Sequence, residues 1–280
     1  MNVDPLVSRL IELALEEDLS LGDVTTDATI DASFMGHGRI AAKQTLVLAG
    51  IDVANRVFDA VDPEITLRWE CEDGDNADAG QLLAEVHGNV RSLLKAERTV
   101  LNFLQRLAGV ATMTRAYVDA VAGTNAQIVD TRKTTPGWRT LEKAAVRAGG
   151  GANHRMSLGS GILIKDNHID AGGGIAGAVT GARGFAPHGL AVEVEVRNLD
   201  ELNQAIEAGA DIALLDNMNL ETLKLAAARA REAGLLSEAS GGVTLATVRA
   251  IAECGVDLIS VGALTHSSPS VDIHMKVRRA

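Results

Sequence analysis

The C-terminal half of the chain alternates short apolar segments with longer Ala-rich segments, and this alternation limits its fold more than any other feature. The apolar segments have the length of strands, and the Ala-rich segments have the apolar spacing of helices. Repeated strand–helix units require parallel strands joined by crossovers, which predicts a parallel sheet or an α/β barrel. The predicted strands are 126–129, 162–164, 190–196, 212–215, 235–239 and 258–261, and the predicted helices are 140–148, 171–182, 199–208, 220–233 and 245–254.

Charged or glycine-rich sequence follows the C-terminal end of each predicted strand. The active sites of α/β barrels are assembled from that rim, whereas an open sheet would spread the strand ends along one edge. A barrel gathers all of the strand ends around one opening, so we predict an α/β barrel. The sequence shows six strand–helix units, whereas the common form of the barrel has eight. The residues at these ends are Arg132 and Lys133, Lys165, Glu193 and Glu195, Asp216, 238–242 and 262–266.

The N-terminal half has a different, mixed pattern. It predicts a sandwich-like α/β domain over 1–110, to which a strand within 269–280 returns, and it leaves 111–268 for the barrel domain. The predicted elements of this half are an amphipathic helix over 6–17, a turn over 22–26, strands within 39–86 and a long helix over 93–121 that closes at Gly123.

The formal net charge of −11 excludes two classes of partner. Nucleic acids and anionic membranes are bound by an excess of Lys and Arg, which this chain lacks. The N-terminus has neither a basic flank nor an apolar core, and no run of about 18 apolar residues occurs. Cys71 and Cys254 have no metal-ligand spacing and are expected to be reduced core thiols. We expect a cytoplasmic enzyme.

Six cationic or titratable basic side chains fall within three short motifs of this acidic chain, residues 130–137, 149–155 and 164–168. Such a local cluster predicts a site for a compact polyanion, because a long one would need a basic molecule overall. Arginine offers a planar fork that matches a carboxylate, and lysine is a point charge suited to phosphate. The glycines 149–151 let the backbone approach a ligand closely. The six residues are Arg132, Lys133, His154, Arg155, Lys165 and His168.

Glu193 and Glu195 occupy alternate positions of one predicted strand, so both side chains point to the same face. Two carboxylates inside a barrel need cations or a metal ion beside them. Lys133, Lys165 and a divalent ion are the available partners. Together with Asp216, another carboxylate at a strand end, they predict an oxygen-rich site suited to Mg²⁺.

The sequence Ser240-Gly241-Gly242 precedes a helix that is predicted to begin near Thr244. Free backbone N–H groups and a hydroxyl at the positive end of a helix dipole form a cradle for phosphate. The run from Val261 to His266 follows the next strand, and the last two loops of many α/β barrels bind phosphate together. We therefore predict phosphate binding at these two loops.

At these residues the chain resembles the quinolinate phosphoribosyltransferase family, which has the type II phosphoribosyltransferase fold. The resemblance covers nearly the whole chain, and many motifs occur in the family's order. The motifs are Leu13-Ala-Leu-Glu-Glu-Asp18 with Gly22-Asp23, Ala96-Glu-Arg-Thr99 with Leu101-Asn-Phe103, Asp130-Thr-Arg-Lys-Thr-Thr-Pro-Gly137, Gly149 to Arg155, Ile164 to His168, Glu193-Val-Glu195, Leu215-Asp-Asn217, Glu238-Ala-Ser-Gly-Gly242 and Val261 to His266.

The resemblance implies an incomplete barrel of six or seven strands and a Mg²⁺-dependent reaction of NAD biosynthesis. Quinolinate and 5-phosphoribosyl 1-pyrophosphate would give nicotinate mononucleotide, pyrophosphate and CO₂. The implied ligands of the two quinolinate carboxylates are Arg98, Arg132, His154, Arg155 and Lys165, with His168 in support. The residues implied for pyrophosphate, metal and ribose are Lys133, Glu195, Asp216 and Asn217, of which Lys133, Glu195 and Asp216 are catalytic and Glu195 and Asp216 hold the metal. Those implied for the 5′-phosphate are Ser240, Gly241, Gly242, Gly262 and His266.

Arg98 lies outside the barrel half, so its place in the substrate pocket implies a homodimer with shared active sites. Two other interpretations remain open. One keeps the fold with another acceptor, as in the related molybdenum-transport-associated proteins or a phosphoribosyltransferase for a monocarboxylate. The other is a non-catalytic, phosphosugar-binding barrel. The set of Arg132, His154, Arg155 and Lys165 favours two carboxylates, and Glu195 with Asp216 favours catalysis.

Overall fold

Residues 4–280 are described by a computed structural model, and they form two compact units. The first unit comprises the chain up to Arg115 together with Thr134–Gly150 and Thr265–Ala280. The second comprises Ala116–Lys133 and Gly151–Leu264. Each unit is therefore built from separate segments of the chain.

The helices and strands are numbered in chain order. They are α1 (Pro5–Leu19), α2 (Val24–Thr29), β1 (Met35–Ala42), β2 (Leu46–Val47), α3 (Ile51–Val61), β3 (Thr66–Trp69), β4 (Asn76–Ala77), β5 (Leu82–Asn89), α4 (Val90–Ala120), β6 (Gln127–Val129), α5 (Arg139–Ala148), β7 (Ile162–Ile164), α6 (Asp166–Ala171), α7 (Ile175–Phe185), β8 (Val192–Val196), α8 (Leu199–Glu207), β9 (Ile212–Asp216), α9 (Leu220–Glu232), β10 (Leu236–Ser240), α10 (Val248–Glu253), β11 (Leu258–Ser260), α11 (Ala263–His266) and β12 (Ile273–Arg279).

The first unit is built on a four-stranded antiparallel sheet of order β12-β1-β5-β3. Buried and accessible positions alternate along β1, where Gly38, Ile40 and Ala42 are among the buried ones. This alternation is typical of an antiparallel sheet that packs on one face and leaves the other open. At Gly36, also on the buried face, a Cβ atom would collide with the carbonyl oxygen of Arg278, so the close approach of β12 requires glycine there.

The two helices predicted in the N-terminal half are present as α1 and α4. The segment 22–26 was predicted to be a turn, and this is wrong because it begins the short helix α2. The side chain of Asp23 caps this helix by accepting a hydrogen bond from the backbone N–H of Thr26 at 2.9 Å. A helix of 6 residues is too short to show helical apolar spacing in the sequence.

Six parallel strands form the main sheet of the second unit, in the order β6-β11-β10-β9-β8-β7. Residues from all of these strands line a single cavity of about 450 Å³. The outermost strands of a flat sheet could not border one cavity, so the sheet is curled into a barrel. Strands β6 and β7 do not pair, and a parallel bridge between Val129 and Ala152 extends the β6 edge. The predicted incomplete α/β barrel is confirmed.

The predicted barrel strands agree with the structure to within two residues at each end, but two helices differ. The helix predicted over 171–182 begins only at Ile175, because three glycines separate α6 from α7; of these, Gly173 and Gly174 have φ of 80° and 92°. Helix α10 begins at Val248, although the prediction placed its start at 245. The turn before it begins at Thr244, whose carbonyl oxygen accepts the N–H of Val248 at 2.9 Å and whose N–H donates to the Thr247 hydroxyl at 3.0 Å.

Both cysteines are free thiols. Cys71 is buried, as expected for a core thiol, whereas Cys254 is half-buried near the end of α10 and is not a core residue. None of the helices in the described part of the chain is both long and apolar enough to cross a membrane.

A buried ion pair fixes three segments of the first unit. The carboxylate of Glu142 on α5 is 0% exposed, and it accepts a hydrogen bond from Arg106 Nη2 on α4 at 2.8 Å. Thr135 donates its hydroxyl to the same carboxylate at 2.8 Å. Arg106 also donates to the carbonyl oxygens of Thr265 and Ser268, so the C-terminal segment is held by the same guanidinium.

Arg106→Gln should lower the free energy of unfolding by about 3–5 kcal/mol, because the variant leaves the Glu142 carboxylate buried without its cation. Arg249→Gln is the matched control, since Arg249 pairs with Glu253 on an exposed helix face, where such a pair contributes about 0.3–0.5 kcal/mol. Urea unfolding followed by circular dichroism measures both changes. Equal losses in the two variants would contradict the role assigned to the buried pair.

Candidate active site

The side chain of Asp130 holds the loop that precedes barrel strand β7 through hydrogen bonds. Asp130 directly follows β6, its side chain is fully buried, and it accepts hydrogen bonds from Asn153 Nδ2 at 2.6 Å and His154 N at 2.9 Å. Its own N–H donates to the carbonyl oxygen of Ala152 at 3.1 Å. The loop is thereby fixed against the barrel, which sets the positions of His154 and of Arg155 after it.

Five basic residues predicted to form a site line one cavity of about 290 Å³. Two of them follow β6, one follows β7, and two belong to the loop between these strands. The structure therefore gathers them at the C-terminal ends of the barrel strands, where barrel active sites lie. The five are Arg132, Lys133, His154, Arg155 and Lys165.

The positive charges in this cavity repel one another. Arg155 is half-buried, and this burial, followed by the charge of Arg132, lowers the pKa of its guanidinium from the usual value, while Glu193 acts in the opposite direction. Arg155 Nη1 donates to the carbonyl oxygen of Gly161 at 3.0 Å, which holds the side chain in place. Like charges held together in this way favour the binding of an anion between them.

Two buried carboxylates lie beside the imidazole of His154. Its Nε2 atom is 3.1 Å from Glu193 Oε2 and 3.7 Å from Glu238 Oε1. Its Nδ1 atom accepts the backbone N–H of Arg155 at 2.7 Å, so the imidazole proton is on Nε2 and is donated to Glu193. Burial, followed by the charge of Glu193, raises the pKa of Glu238 to about 7. The two carboxylates thus fix one tautomer of His154.

His154, Glu193 and Glu238 are also the one group of metal-type ligands, among residues 4–280, whose donor atoms all lie within 4.8 Å of one another. A proton fits this group better than a metal ion does. The Nε2 atom of His154 already carries the hydrogen that points at Glu193, and the Arg155 guanidinium acts on Glu193 with its positive charge. We therefore interpret the group as a support for His154.

The predicted metal ligands Glu195 and Asp216 lie at the C-terminal ends of adjacent parallel strands. Glu195 on β8 is opposite Leu214 on β9, two residues before Asp216. Glu195 Oε2 accepts a hydrogen bond from Lys165 Nζ at 2.9 Å, and Asp216 Oδ2 accepts one from Asn217 Nδ2 at 2.9 Å. Lys165 is one of the cations that the sequence predicts beside these carboxylates.

The loop after β10 packs against Asn217. A Cβ atom at Gly241 would collide with the Asn217 amide, and Gly241 has φ of 95°, so both the space and the backbone require glycine. Asn217 has φ of 52°, in the left-handed region that residues with side chains seldom adopt. Ser240 lines the same cavity as the basic residues, so this loop borders the candidate site.

The helix after the predicted phosphate cradle is short and begins later than expected. Helix α10 begins at Val248 and has 6 residues, and the turn that leads into it closes on the carbonyl oxygen of Thr244. An anion bound here would meet the backbone of Gly241 and Gly242 and the hydroxyl of Ser240. These groups remain suitable for phosphate.

Four other predicted site residues do not line the cavity formed by the five basic residues. His168 Nδ1 accepts the backbone N–H of Lys165 at 3.0 Å at the start of α6, and Gly262 follows β11 in the second unit. Arg98 and His266 belong to the first unit. Arg98 lines a cavity of about 280 Å³ in that unit, whose other residues include Glu17, Asp18, Asn102, Phe103 and Trp138.

The sequence interpretation assigned no role to Asp130 or Glu238. Both are carboxylates at or near the end of an apolar strand, and that position is the signal that could have identified them. The glycine run closes α5, as expected, with Gly149 at its C-cap. A Cβ atom at Gly149 would collide with Ala111 and Thr114 of α4, so this glycine allows α5 to end against α4.

Comparison with known protein families matches almost the entire chain. The model described as "Quinolinate phosphoribosyl transferase, N-terminal domain" matches residues 23–108. The model described as "Quinolinate phosphoribosyl transferase, C-terminal domain" matches residues 110–276.

Individual relatives are similar over most of their length. The nicotinate-nucleotide pyrophosphorylase [carboxylating] of Mycobacterium leprae is 44% identical over 268 residues, which cover 94% of this chain and 94% of that protein. The quinolinate phosphoribosyltransferase [decarboxylating] 1b of Nicotiana tabacum is 40% identical over 286 residues, which cover 96% of this chain and 81% of that protein.

Solved structures share the fold. The nicotinate-nucleotide pyrophosphorylase of Francisella tularensis has a TM-score of 0.94 and 43% identity, with 99% of this chain and 98% of that chain covered. The NadC protein of Streptococcus pyogenes has a TM-score of 0.95 and 41% identity, with 100% of this chain and 99% of that chain covered.

Glu238 should make the stability of the protein fall as the pH rises. Its folded-state pKa of about 7 lies above the ordinary value of 4.5, so the folded state keeps a proton that the unfolded state releases. This stabilisation is fully present below the unfolded pKa and is lost as the pH rises through the folded pKa. In Glu238→Gln, which cannot titrate, stability relative to the parent should therefore increase from roughly pH 5 to roughly pH 8, by an amount on the order of 3 kcal/mol.

Urea unfolding at several pH values measures this change. Glu253→Gln, at an exposed glutamate, is the control and should show no such trend. A stability difference between Glu238→Gln and the parent that stays constant across the pH range would contradict the assignment.

Proposed function

Since the chain belongs to the quinolinate phosphoribosyltransferase family, we propose that it transfers a phosphoribosyl group to quinolinate, a pentosyl transfer of NAD biosynthesis. The donor is 5-phosphoribosyl 1-pyrophosphate, and the products are nicotinate mononucleotide, pyrophosphate and CO₂. The observation that carries the proposal is the single cavity in which five basic residues meet at the carboxyl ends of the barrel strands.

Quinolinate carries two adjacent carboxylates, and the cavity offers enough donors for both. Arg132 and Arg155 present planar forks that match a carboxylate with two parallel hydrogen bonds. Lys165 adds an ammonium group, and His154, whose Nε2 proton is donated to Glu193, supports the set through the Arg155 backbone N–H that its Nδ1 atom accepts. His168 supports Lys165 through the hydrogen bond to its backbone N–H. Binding of a dianion also relieves the repulsion between the two guanidinium groups.

An acceptor with one carboxylate fits this cavity less well. It would engage fewer of the cations that line the cavity than a dicarboxylate does. A non-catalytic phosphosugar-binding barrel is disfavoured by Glu195 and Asp216, because two carboxylates near a bound phosphate would weaken its binding without a metal ion.

Magnesium fits the residues at the ends of β8 and β9. Glu195 and Asp216 supply carboxylate oxygens, and Mg²⁺ is usually held by one or two carboxylates together with the phosphates of a substrate. These two residues would hold the ion. When bound, it would neutralise the negative charge that develops on the departing pyrophosphate.

The side chains act on the two ends of the bond that breaks. As the ring nitrogen of quinolinate displaces pyrophosphate at C1, the ribose gains positive charge and the leaving group gains negative charge. Lys133 stabilises the pyrophosphate as it leaves, while the carboxylates of Glu195 and Asp216 stabilise the ribose. Asn217, held against Gly241, binds the ribose hydroxyls. The ring nitrogen attacks directly, so no nucleophilic side chain is needed.

The 5′-phosphate binds where the loops after β10 and β11 offer backbone N–H groups. Ser240, Gly241 and Gly242 supply the first loop, and Gly262 supplies the second. Gly241 and Gly242 adopt positive φ values of 95° and 60°, which glycine allows, and they carry no Cβ atom that would obstruct a phosphate.

Decarboxylation follows the transfer because the quaternary ring nitrogen allows the adjacent carbon to hold the electron pair left behind by CO₂. That carbon then takes a proton from water to give nicotinate mononucleotide. The departing carboxylate must shed its hydrogen bonds, so its contacts should be fewer or looser than those of the carboxylate that is retained. Cations that stay in contact with this carboxylate would stabilise its anionic form and so oppose its loss as CO₂.

The reaction itself can be tested with quinolinate labelled in both carboxylates. The purified protein, Mg²⁺ and the phosphoribosyl donor should release CO₂, pyrophosphate and nicotinate mononucleotide in equal amounts. Nicotinate, which has one carboxylate, is the control acceptor. Mononucleotide formed from nicotinate at a comparable rate and without CO₂ would support the monocarboxylate alternative, and absence of turnover with either acceptor would support the non-catalytic one.

A homodimer with shared active sites belongs to the same proposal. Arg98 lies in the first unit, in a cavity that also contains the carboxylates Glu17 and Asp18, and we assign it to the barrel site of a partner subunit.

A cytoplasmic location is a further part of the proposal, because both cysteines are free thiols, as in most proteins of reducing compartments.

Arg155→Lys should weaken quinolinate binding by about 1.5–3 kcal/mol, the range for hydrogen bonds to charged groups, because lysine cannot present a planar fork. Arg132→Lys should behave in the same way. Binding of the phosphoribosyl donor should change little in either variant. Isothermal titration with each ligand measures both affinities, and an equal loss of donor affinity would contradict the assignment to the carboxylates.

Asp216→Asn should lower turnover on the order of 100-fold and leave quinolinate affinity nearly unchanged, because it removes a charge that acts in the transition state. Asp200→Asn, in the exposed first turn of α8, is the matched control and should retain turnover. Steady-state kinetics at saturating Mg²⁺ distinguishes the two. Normal turnover of Asp216→Asn would remove this residue from the catalytic site.

Arg98→Ala and Lys133→Ala should each abolish activity, and mixing them should restore part of it. In a dimer with shared sites, one site of the mixed dimer collects both defects and the other collects neither. Activity is measured after subunit exchange, with the exchange itself confirmed by mass spectrometry. If activity stays at the level of the parent variants although exchange has occurred, both residues serve a site within one chain.

A further inference from the structure

The open face of the first unit's antiparallel sheet carries a second concentration of positive charge. The side chains that alternate with the buried positions of β1 and β12 project from this face. They line a cavity of about 350 Å³, which is the size of a small-ligand pocket. The basic residues of its lining are His37, Arg39, His274, Lys276 and Arg278.

The strand register places two cations directly opposite one another in this cavity. Arg39 of β1 is the cross-strand partner of Lys276 in β12, and the imidazole-bearing His37 is the partner of Arg278. Like charges at directly opposed positions of an antiparallel pair destabilise the sheet. The arrangement is unexpected in a chain with a net charge of −11, which has carboxylates available to pair with these cations.

Neighbouring carboxylates do not neutralise these charges. Glu85 on β5 is opposite Arg39, but its carboxylate forms an ion pair with Arg68 at 2.8 Å. Within residues 4–280, no ion pair joins Arg39, Lys276 or Arg278 to a carboxylate. The cations therefore remain available to a ligand.

A buried imidazole atom provides a second, independent observation. His274 Nδ1 is buried and has no hydrogen-bond partner in the described part of the chain. His274 lies opposite Ala41 in the register, and Ala41 and Gly80 complete the small-residue part of the lining. A buried polar atom without a partner is unfavourable, and a ligand that supplied an oxygen atom would remove this cost.

We propose that this cavity, the sheet-face site formed by His37, Arg39, His274, Lys276 and Arg278, binds a compact anion that carries a phosphate or diphosphate group. Guanidinium forks and a lysine ammonium are the side chains that recognise phosphate oxygens. Binding would offset the repulsion between the paired strands. A long polyanion is disfavoured by the acidity of the rest of the chain.

The test must separate this site from the barrel cavity, to which we have assigned pyrophosphate. The double variant Lys133→Ala/Lys165→Ala removes two cations of the barrel cavity and serves as the background. Isothermal titration with inorganic diphosphate should show about one ion bound per chain in this background. Adding Arg39→Gln and Lys276→Gln should weaken that binding by about tenfold or more, since each removes a charged hydrogen bond.

Arg229→Gln is the matched control, because it makes the same change of charge on the exposed helix α9. In the background variant it should leave diphosphate binding unchanged. Arg39→Lys, which keeps the charge, should retain most of the binding that Arg39→Gln loses. Circular dichroism of every variant shows whether it is folded.

Thermal unfolding gives a readout that a purely structural role would not produce. Without added anion, Arg39→Gln should raise Tm by a few degrees, because it relieves the repulsion from Lys276. Diphosphate should raise the Tm of the background variant but not that of its Arg39→Gln/Lys276→Gln derivative.

Three results would overturn the proposal. The first is no diphosphate binding by the folded background variant, and the second is binding that Arg39→Gln/Lys276→Gln leaves unchanged. The third is an equal rise of Tm in potassium chloride at the same ionic strength, which would mean that the cations are only screened by salt.

Discussion

The hydrogen bond from the imidazole of His154 to Glu193 connects the interior of the barrel to the basic cavity at its rim. Asp130 fixes the backbone of His154, and the N–H of Arg155 occupies the other imidazole nitrogen. The tautomer is therefore set by the protein before any ligand arrives. Glu238 adds a carboxyl group whose pKa is raised to about 7 by burial and by Glu193, so the pair does not place two full negative charges beneath the cavity.

This arrangement lets the barrel hold several positive charges close together. Arg132 and Arg155 repel each other, and Glu193 offsets part of that repulsion. A dicarboxylate supplies the rest of the compensation when it binds, which makes affinity sensitive to the number of carboxylates on the acceptor. Lys165 is shared between this cavity and Glu195, so it links the acceptor region to the carboxylates that we assign to the metal ion and the ribose.

The barrel strands and the residues at their ends could be predicted from the sequence, because parallel strands impose short apolar runs and a single functional rim. Interactions that depend on three-dimensional register could not. Nothing in the sequence shows that Asp130 accepts the His154 N–H, or that Glu238 lies near Glu193. The turn that leads into α10 depends on a hydrogen bond between the Thr244 N–H and the Thr247 hydroxyl. The opposed cations of β1 and β12 are more than 200 residues apart in the chain, so only the register reveals them.

A crystal structure of the protein with quinolinate tests the central claim most directly. The account predicts that both carboxylates of quinolinate lie in the barrel cavity, each within hydrogen-bond distance of at least one of Arg132, Arg155 and Lys165, with Glu193 still accepting the His154 proton. Quinolinate bound with one carboxylate directed into solvent, or with His154 turned away from Glu193, would contradict it.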